Sequence, residues 1–219
     1  MTVKTIGQGG ADYTGVVDTQ IDATNPTVNY SGTDPRVTNF TGAQSRGLMR
    51  FDGLSSITGP VTVSSATLRL ATTSNFAAVD VAIYKLLVSF NVTQATFNQR
   101  VTGTNWATAG AYNATDTDLT LISSVTAPAA SYTQFTIPTS PNFVALVEGW
   151  INGTITNNGI LIACNPDSGG SDIVEFVGSY AADAVYSPLL TVTYTAGTAS
   201  DPAASTSRFT SSRHTFGIR

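Results

Sequence analysis

Residues able to do chemistry are sparse in this chain. The only histidine is His214, near the C-terminal end, and the only glutamates are Glu148 and Glu175. A hydrolase or lyase needs positioned acids, a histidine or an activated nucleophile, so a Ser/His/Asp triad here would have to borrow the tail histidine. Asp116 and Asp118, in NATDTDLT, supply two carboxylates at i, i+2, which reads as a solvated loop. Cys164 is the only cysteine; inside the apolar run GILIAC it reads as a buried small hydrophobe. These residues predict a chain that is not an enzyme and uses no cofactor.

Metal chemistry has equally little to build on. Zinc would need a Cys/His cluster, which the sequence lacks. Calcium takes carboxylates and carbonyls; Asp12, Asp18 and Asp22 in DYTGVVDTQID, and Asp167 and Asp172 in NPDSGGSD, offer them without the spacing of a dedicated calcium loop. Asx-turns at strand ends account for those aspartates. The Asn-x-Ser/Thr triplets at Asn39, Asn91, Asn113 and Asn152 are what a Thr-rich chain produces by chance.

One stretch sets a single Arg and a single Trp in a bed of Thr, Gly, Ala and Asn: TFNQRVTGTNWATAGA, residues 96–111. Arginine carries five donors in a fixed fork and stacks on aromatic faces. The spacing predicts a structural clamp, with Arg100 buried among carbonyls, Trp106 beside it, and Asp52 of MRFDGL as its carboxylate. The competing reading leaves Trp106 exposed to stack on a sugar.

The elements that must position these residues are mostly strands. The chain has 219 residues, 11% charged and 42% hydrophobic. That hydrophobic content argues against disorder, and a chain of this length buries about 70% of its unfolded surface. PVTVSSATLRLA alternates, with Ala66, Leu68 and Leu70 inward and Thr67 and Arg69 outward; VDVAIYKLLV places Val79, Val81 and Ile83 on one face. SYTQFTI, GILIAC, DIVEFV and PLLTVTYT continue the series, divided by Gly, Pro and Asn. The prediction is an all-β, jelly-roll-like sandwich.

One segment departs from the period of two. SPNFVALVEGWINGT spaces Phe143, Leu146, Val147, Trp150 and Ile151 as a helical stripe. Ser140 suits the N-cap, Pro141 the first turn, and Gly153 a left-handed end. A single short helix over about 141–151 should plug one end of the sandwich.

The sandwich is expected over residues 16–195, flanked by an N-terminal arm (1–15) and a C-terminal arm (196–219). After Asp201 the last stretch has no acid, and Arg208, Arg213, His214 and Arg219 make it basic in a chain of net charge −4. Phe209, Phe216 and Ile218 are its large apolar residues. This arm is expected to be an assembly element, carried by Arg208, Phe209, Arg213, Phe216, Ile218 and Arg219. A pI near 4.7 argues against nucleic acid as the partner. No apolar run reaches the ~20 residues of a membrane-crossing helix, and the start shows no signal-peptide pattern.

The motifs DTQID, NYSG, RGLMRFDGLSSI, VTVSSATLRL, VAIYKL, ATFNQRVTGTNWATAGA, LVEGWINGTITNNGILI and SPLLTVTYT follow in an order that resembles the DNRLRE domain. That β-sandwich family is related to disaggregatase-type carbohydrate-binding modules, and the resemblance covers residues 16–195. Phe97, Asn98, Arg100 and Trp106 stand at its characteristic aromatic, Asn and Arg positions. The resemblance implies a jelly-roll-like sandwich with a short helix before the penultimate strands. Members occur in bacterial surface proteins, some binding polysaccharide, and as small stand-alone proteins of phages. Three functions are therefore weighed: a phage virion component (decoration, collar, fibre or tail protein) located in the particle and assembling with other virion subunits as a homo-oligomer; a carbohydrate-binding module meeting host glycans through Tyr112, Tyr132 or Tyr180; and an enzyme, the least supported. The first is the leading expectation.

Overall fold

A computed structural model describes residues 1–7, 15–73, 77–165, 170–181 and 183–197. Thirteen strands are described: β1 (Thr2–Gly7), β2 (Val17–Asp22), β3 (Arg36–Thr38), β4 (Ser45–Arg50), β5 (Val61–Ala71), β6 (Val79–Leu86), β7 (Gln99–Val101), β8 (Thr104–Asn105), β9 (Thr117–Ala127), β10 (Gln134–Ile137), β11 (Ile160–Cys164), β12 (Ile173–Glu175) and β13 (Leu189–Ala196). The helix α1 (Pro141–Asn152) lies between β10 and β11. The fold is an all-β sandwich: one sheet runs β1-β13-β5-β10, and a larger one runs β12-β3-β4-β11-β6-β9 with β2 also paired to β4.

The alternation in the sequence sets the inner faces. Ala66, Leu68 and Leu70 of β5 and Val81 and Ile83 of β6 are fully buried, packed with Leu190 and Val192 of β13. β4 and β11 lack alternation, because both faces of this sheet are covered. A second apolar cluster fills the outer face: Leu48, Leu161, Ala163, Tyr84 and Leu86 pack under Phe90, Ala95 and Trp106 of the 87–116 crossover. A continuous apolar run such as ILIAC is what a doubly covered strand requires, so the sandwich has an extra layer where a single core was expected.

α1 forms as its capping residues direct. Ser140 accepts from the Phe143 N–H at 3.0 Å, and Gly153 closes the helix at φ 71°. Phe143, Leu146, Val147 and Trp150 are buried. The polar side of the helix covers a bare sheet edge. β10 pairs only with Leu68–Ala71 of β5; along the rest, Glu148 accepts from the Val63 N–H at 2.8 Å and Asn152 both accepts from and donates to Val61. This covering satisfies backbone groups that would otherwise template another strand.

Residues 1–7 correct the expected N-terminal arm. Thr2–Gly7 pair antiparallel with Leu189–Tyr194 and complete the sheet edge as β1. Their Thr-rich composition hid a strand whose Ile6 is buried against the core while Val3 faces out.

Candidate functional site

The Thr96–Ala111 stretch is a buried brace, with the arginines in other roles than the spacing predicts. Trp106 is 4% exposed, and its indole Nε1 donates to Thr96 O at 2.9 Å. This supports the structural reading of Trp106 over the sugar-stacking one. Arg100 is only half-buried and donates to a single carbonyl, Ser89 O, at 3.1 Å. Asp52 is held by Arg50, with Oδ1 to Nε at 2.6 Å and Oδ2 to Nη2 at 3.0 Å. The predicted Arg100–Asp52 pairing is therefore corrected. Residues 50 and 52 flank the turn out of β4, close enough in sequence to make a two-pronged pair, while Arg100 sits on the short β7 of the crossover.

The buried cation is Arg46 of β4, 7% exposed. Its Nη1 donates to Gly110 O at 2.9 Å, and its guanidinium carbon lies 5.1 Å from the Tyr112 ring. Tyr112 in turn meets Tyr84 edge-on at 5.5 Å. Gly110 adopts φ 86°, and a Cβ there would collide with Arg46 and the Phe97 ring, so glycine is required for the crossover to close on the arginine. The signal available in the sequence was an arginine inside SRGLMR, a run that otherwise reads as a buried strand.

The carboxylates are dispersed. Asp116 is 3% exposed rather than solvated: its Oδ2 accepts from Thr108 N and Asn113 Nδ2. Asp118 pairs with Lys85 at 2.9 Å, and that bond holds its carboxyl down to about 2. The pair rims a groove of about 180 Å³ between β9 and α1, floored by Ile122, Leu146 and Ile155. Asp172 accepts from Asn39 Nδ2 at 2.7 Å, and Asp22 accepts from the Thr24 N–H as an Asx-turn. Asp12, Asp167 and His214 lie outside the described residues. Among the described residues, no three His, Cys, Asp or Glu converge as a metal site.

Among the described residues, the most exposed aromatic surface lies where β5 ends at Ala71. Tyr132 is 60% exposed, in left-handed backbone at φ 50°, and its N–H donates to Thr72 O at 2.8 Å. A non-glycine residue at positive φ is uncommon and needs support from its surroundings. The Tyr186 ring lies 5.5 Å away at 56°. Val185 beside it is 57% exposed, its carbonyl accepting from Gln134 Nε2. The segment after β12 joins the same end: Phe176 bridges Thr72, and the Val177 N–H donates to Ala71 O. It leads to Tyr180, which is 50% exposed. Of the three tyrosines expected in an exposed strip, Tyr132 and Tyr180 are there; Tyr112 is packed into the Arg46 brace.

Two aspartates hold this end from beneath. Asp34 Oδ1 accepts from the Gly178 N–H at 2.8 Å, and Asp18 Oδ2 from the Ser179 N–H at 2.6 Å. Burial pushes the Asp18 carboxyl up to about 7, against the opposing effect of the Ser179 bonds and with a smaller push from Asp34. The Tyr180 phenol is pushed up to about 12 by partial burial, then by its bond to Asp34 and the charges of Asp34, Asp18 and Glu175. The end thus combines exposed rings with carboxyl groups that hold its loop backbone.

Asp18 gives a pH prediction. Its folded pKa lies above the ordinary carboxylate value, so the folded state holds the proton more tightly. Its contribution favours folding most at low pH and is lost as pH rises from about 4 to about 7. Over that window the stability of the native chain should fall by up to about 4 kcal/mol from this group, at 1.36 kcal/mol per unit. Asp18→Asn should remove the fall, so urea unfolding from pH 4 to 8 should give a flatter profile for the variant. Parallel profiles would contradict the assignment.

Compared with known proteins, the chain matches no family model, and no curated protein is significantly similar to it.

Proposed function

We propose that this chain is a non-enzymatic structural component of a phage particle, connected to neighbouring subunits through its C-terminal segment. The observation that carries this is where that segment departs. β13 ends at Ala196 opposite Val61, and the Gly197 N–H is pinned to Pro60 O at 2.8 Å. Gly197, the last described residue, therefore lies at the end of the sandwich opposite Tyr132. The basic residues Arg208, Arg213 and Arg219, with Phe209, Phe216 and Ile218, lie in that segment, outside the described residues. Supporting this reading are its charge, opposite to the rest of the chain, and the order of motifs that resembles the DNRLRE domain.

The test is removal of residues 200–219. The expected product is a folded monomer that no longer enters the particle or oligomer. Equal assembly of truncated and full chains would end the proposal.

A second reading, carbohydrate binding, is favoured by one observation: the exposed Tyr132 ring, tilted against Tyr186, is the kind of platform on which a pyranose stacks. Titration of full-length protein with cell-surface polysaccharides, followed by isothermal calorimetry, tests it. Binding lost in Tyr132→Ala supports this reading, and binding unchanged in that variant removes it.

A further inference from the structure

We infer that the Tyr132 end of one copy is the docking surface for the C-terminal segment of the next, so that copies join head to tail. This rests on the assembly reading above and names the surface that the segment meets. Four observations converge on it.

The first is polarity. Gly197, which precedes the segment, is bonded to Pro60 at the start of β5, and the exposed rings stand beyond the end of that strand. Eleven residues of strand separate them, about 35 Å. A contact between opposite ends of the same fold is heterologous and repeats from copy to copy.

The second is chemistry. The segment carries an Arg-Phe pair at 208–209 and a Phe-Gly-Ile-Arg run at 216–219. The surface offers exposed aromatic faces at Tyr132 and Tyr180, the apolar Val185, and the carboxylates Asp34, Asp183 and Glu175. Guanidinium groups stack on tyrosine faces and pair with carboxylates in two-pronged fashion. An Arg-Phe segment uses both the rings and the carboxylates. Before residue 198 thirteen acids outnumber seven Lys and Arg; after it three Arg face one Asp.

The third is reach. Eleven residues join Gly197 to Arg208, roughly 35–40 Å fully extended. Arg208 and Phe209 would meet their own Tyr132 end only along a nearly straight path. A copy stacked end to end presents that surface directly.

The fourth is backbone strain. Tyr132, at φ 50°, holds its ring outward and is the most exposed tyrosine among the described residues. Strain of this kind gathers where a ligand is met.

The test places p-benzoylphenylalanine at Val185 in the full chain and irradiates an equal mixture of ¹⁴N- and ¹⁵N-labelled protein. The expected result is cross-linked peptides of mixed isotope joining position 185 to residues 205–219. Adducts confined to one isotope, adducts landing elsewhere such as the groove between β9 and α1, or no adduct would overturn the inference. In sedimentation, Tyr132→Ala and Arg213→Glu should each weaken self-association of the full chain about tenfold, as expected for loss of one stacked or paired arginine. Unchanged association in both would also overturn it. If removal of residues 200–219 abolishes assembly while Val185→Glu leaves it intact, the segment is still the connector and only the docking surface assigned here is wrong.

Discussion

Trp150→Ala is expected to lower the unfolding free energy by about 3–5 kcal/mol, the range for removing a large aromatic from a packed interior. Trp150 is 7% exposed, and its ring lies 6.2 Å from Phe51. It sits in the last turn of α1, where Glu148 and Asn152 cover the β5 edge. The truncation therefore opens a cavity and loosens the side chains that stand in for a strand along Val61 and Val63. Its indole N–H is buried without a partner, which costs about 1–3 kcal/mol in such a place. Trp150→Phe keeps most of the ring and removes that orphan donor, so it should cost much less than the alanine. Urea unfolding of the two variants beside the native chain checks both. Equal losses would mean that the ring contributes little to the packing.

The second large effect is at Arg46. Arg46→Lys should cost about 2–4 kcal/mol, the range for a buried charge deprived of its hydrogen bonds. Lysine cannot keep the fork directed at Gly110 O, loses the flat contact with Tyr112, and carries a more strongly hydrated charge into a buried place. Arg100→Lys should cost about 1 kcal/mol or less, because Arg100 is half-buried and holds one carbonyl. Denaturation of the two variants side by side decides which arginine braces the crossover. A larger loss at Arg100 would restore it as the clamp.

What could be read from the sequence was whatever depends on local pattern. The alternation around Leu68 and Leu70, the stripe from Phe143 to Trp150 and the Ser140 and Gly153 caps specify strand and helix through contacts a few residues apart, and they reappear in the structure. The buried Trp106 was legible for the same reason, as a large ring in a tightly turned, Gly-rich stretch. The partners of charged groups were not. Which arginine Asp52 takes, and which arginine faces Gly110, depends on how the 87–116 crossover lies across β4 and β11, a matter of tertiary register. Asp18 gave no local sign either: the backbone N–H it accepts from, that of Ser179, is 161 residues away in the chain. β1 was missed because its partner is the last strand, and a Thr-rich segment with one inward Ile6 has almost no period of its own.

Two unlike ends that fit each other can be spoiled one at a time and recombined by mixing. Chain carrying Arg208→Glu and Arg213→Glu keeps its Tyr132 surface and spoils its segment. Chain carrying Tyr132→Ala and Val185→Glu keeps its segment and spoils its surface. Sedimentation velocity should find each monomeric alone and their equimolar mixture forming a one-to-one dimer that grows no further, because one intact segment meets one intact surface and nothing remains to extend it. A mixture that stays monomeric, or that assembles as the native chain does, would rule out head-to-tail docking of the segment on the Tyr132 surface.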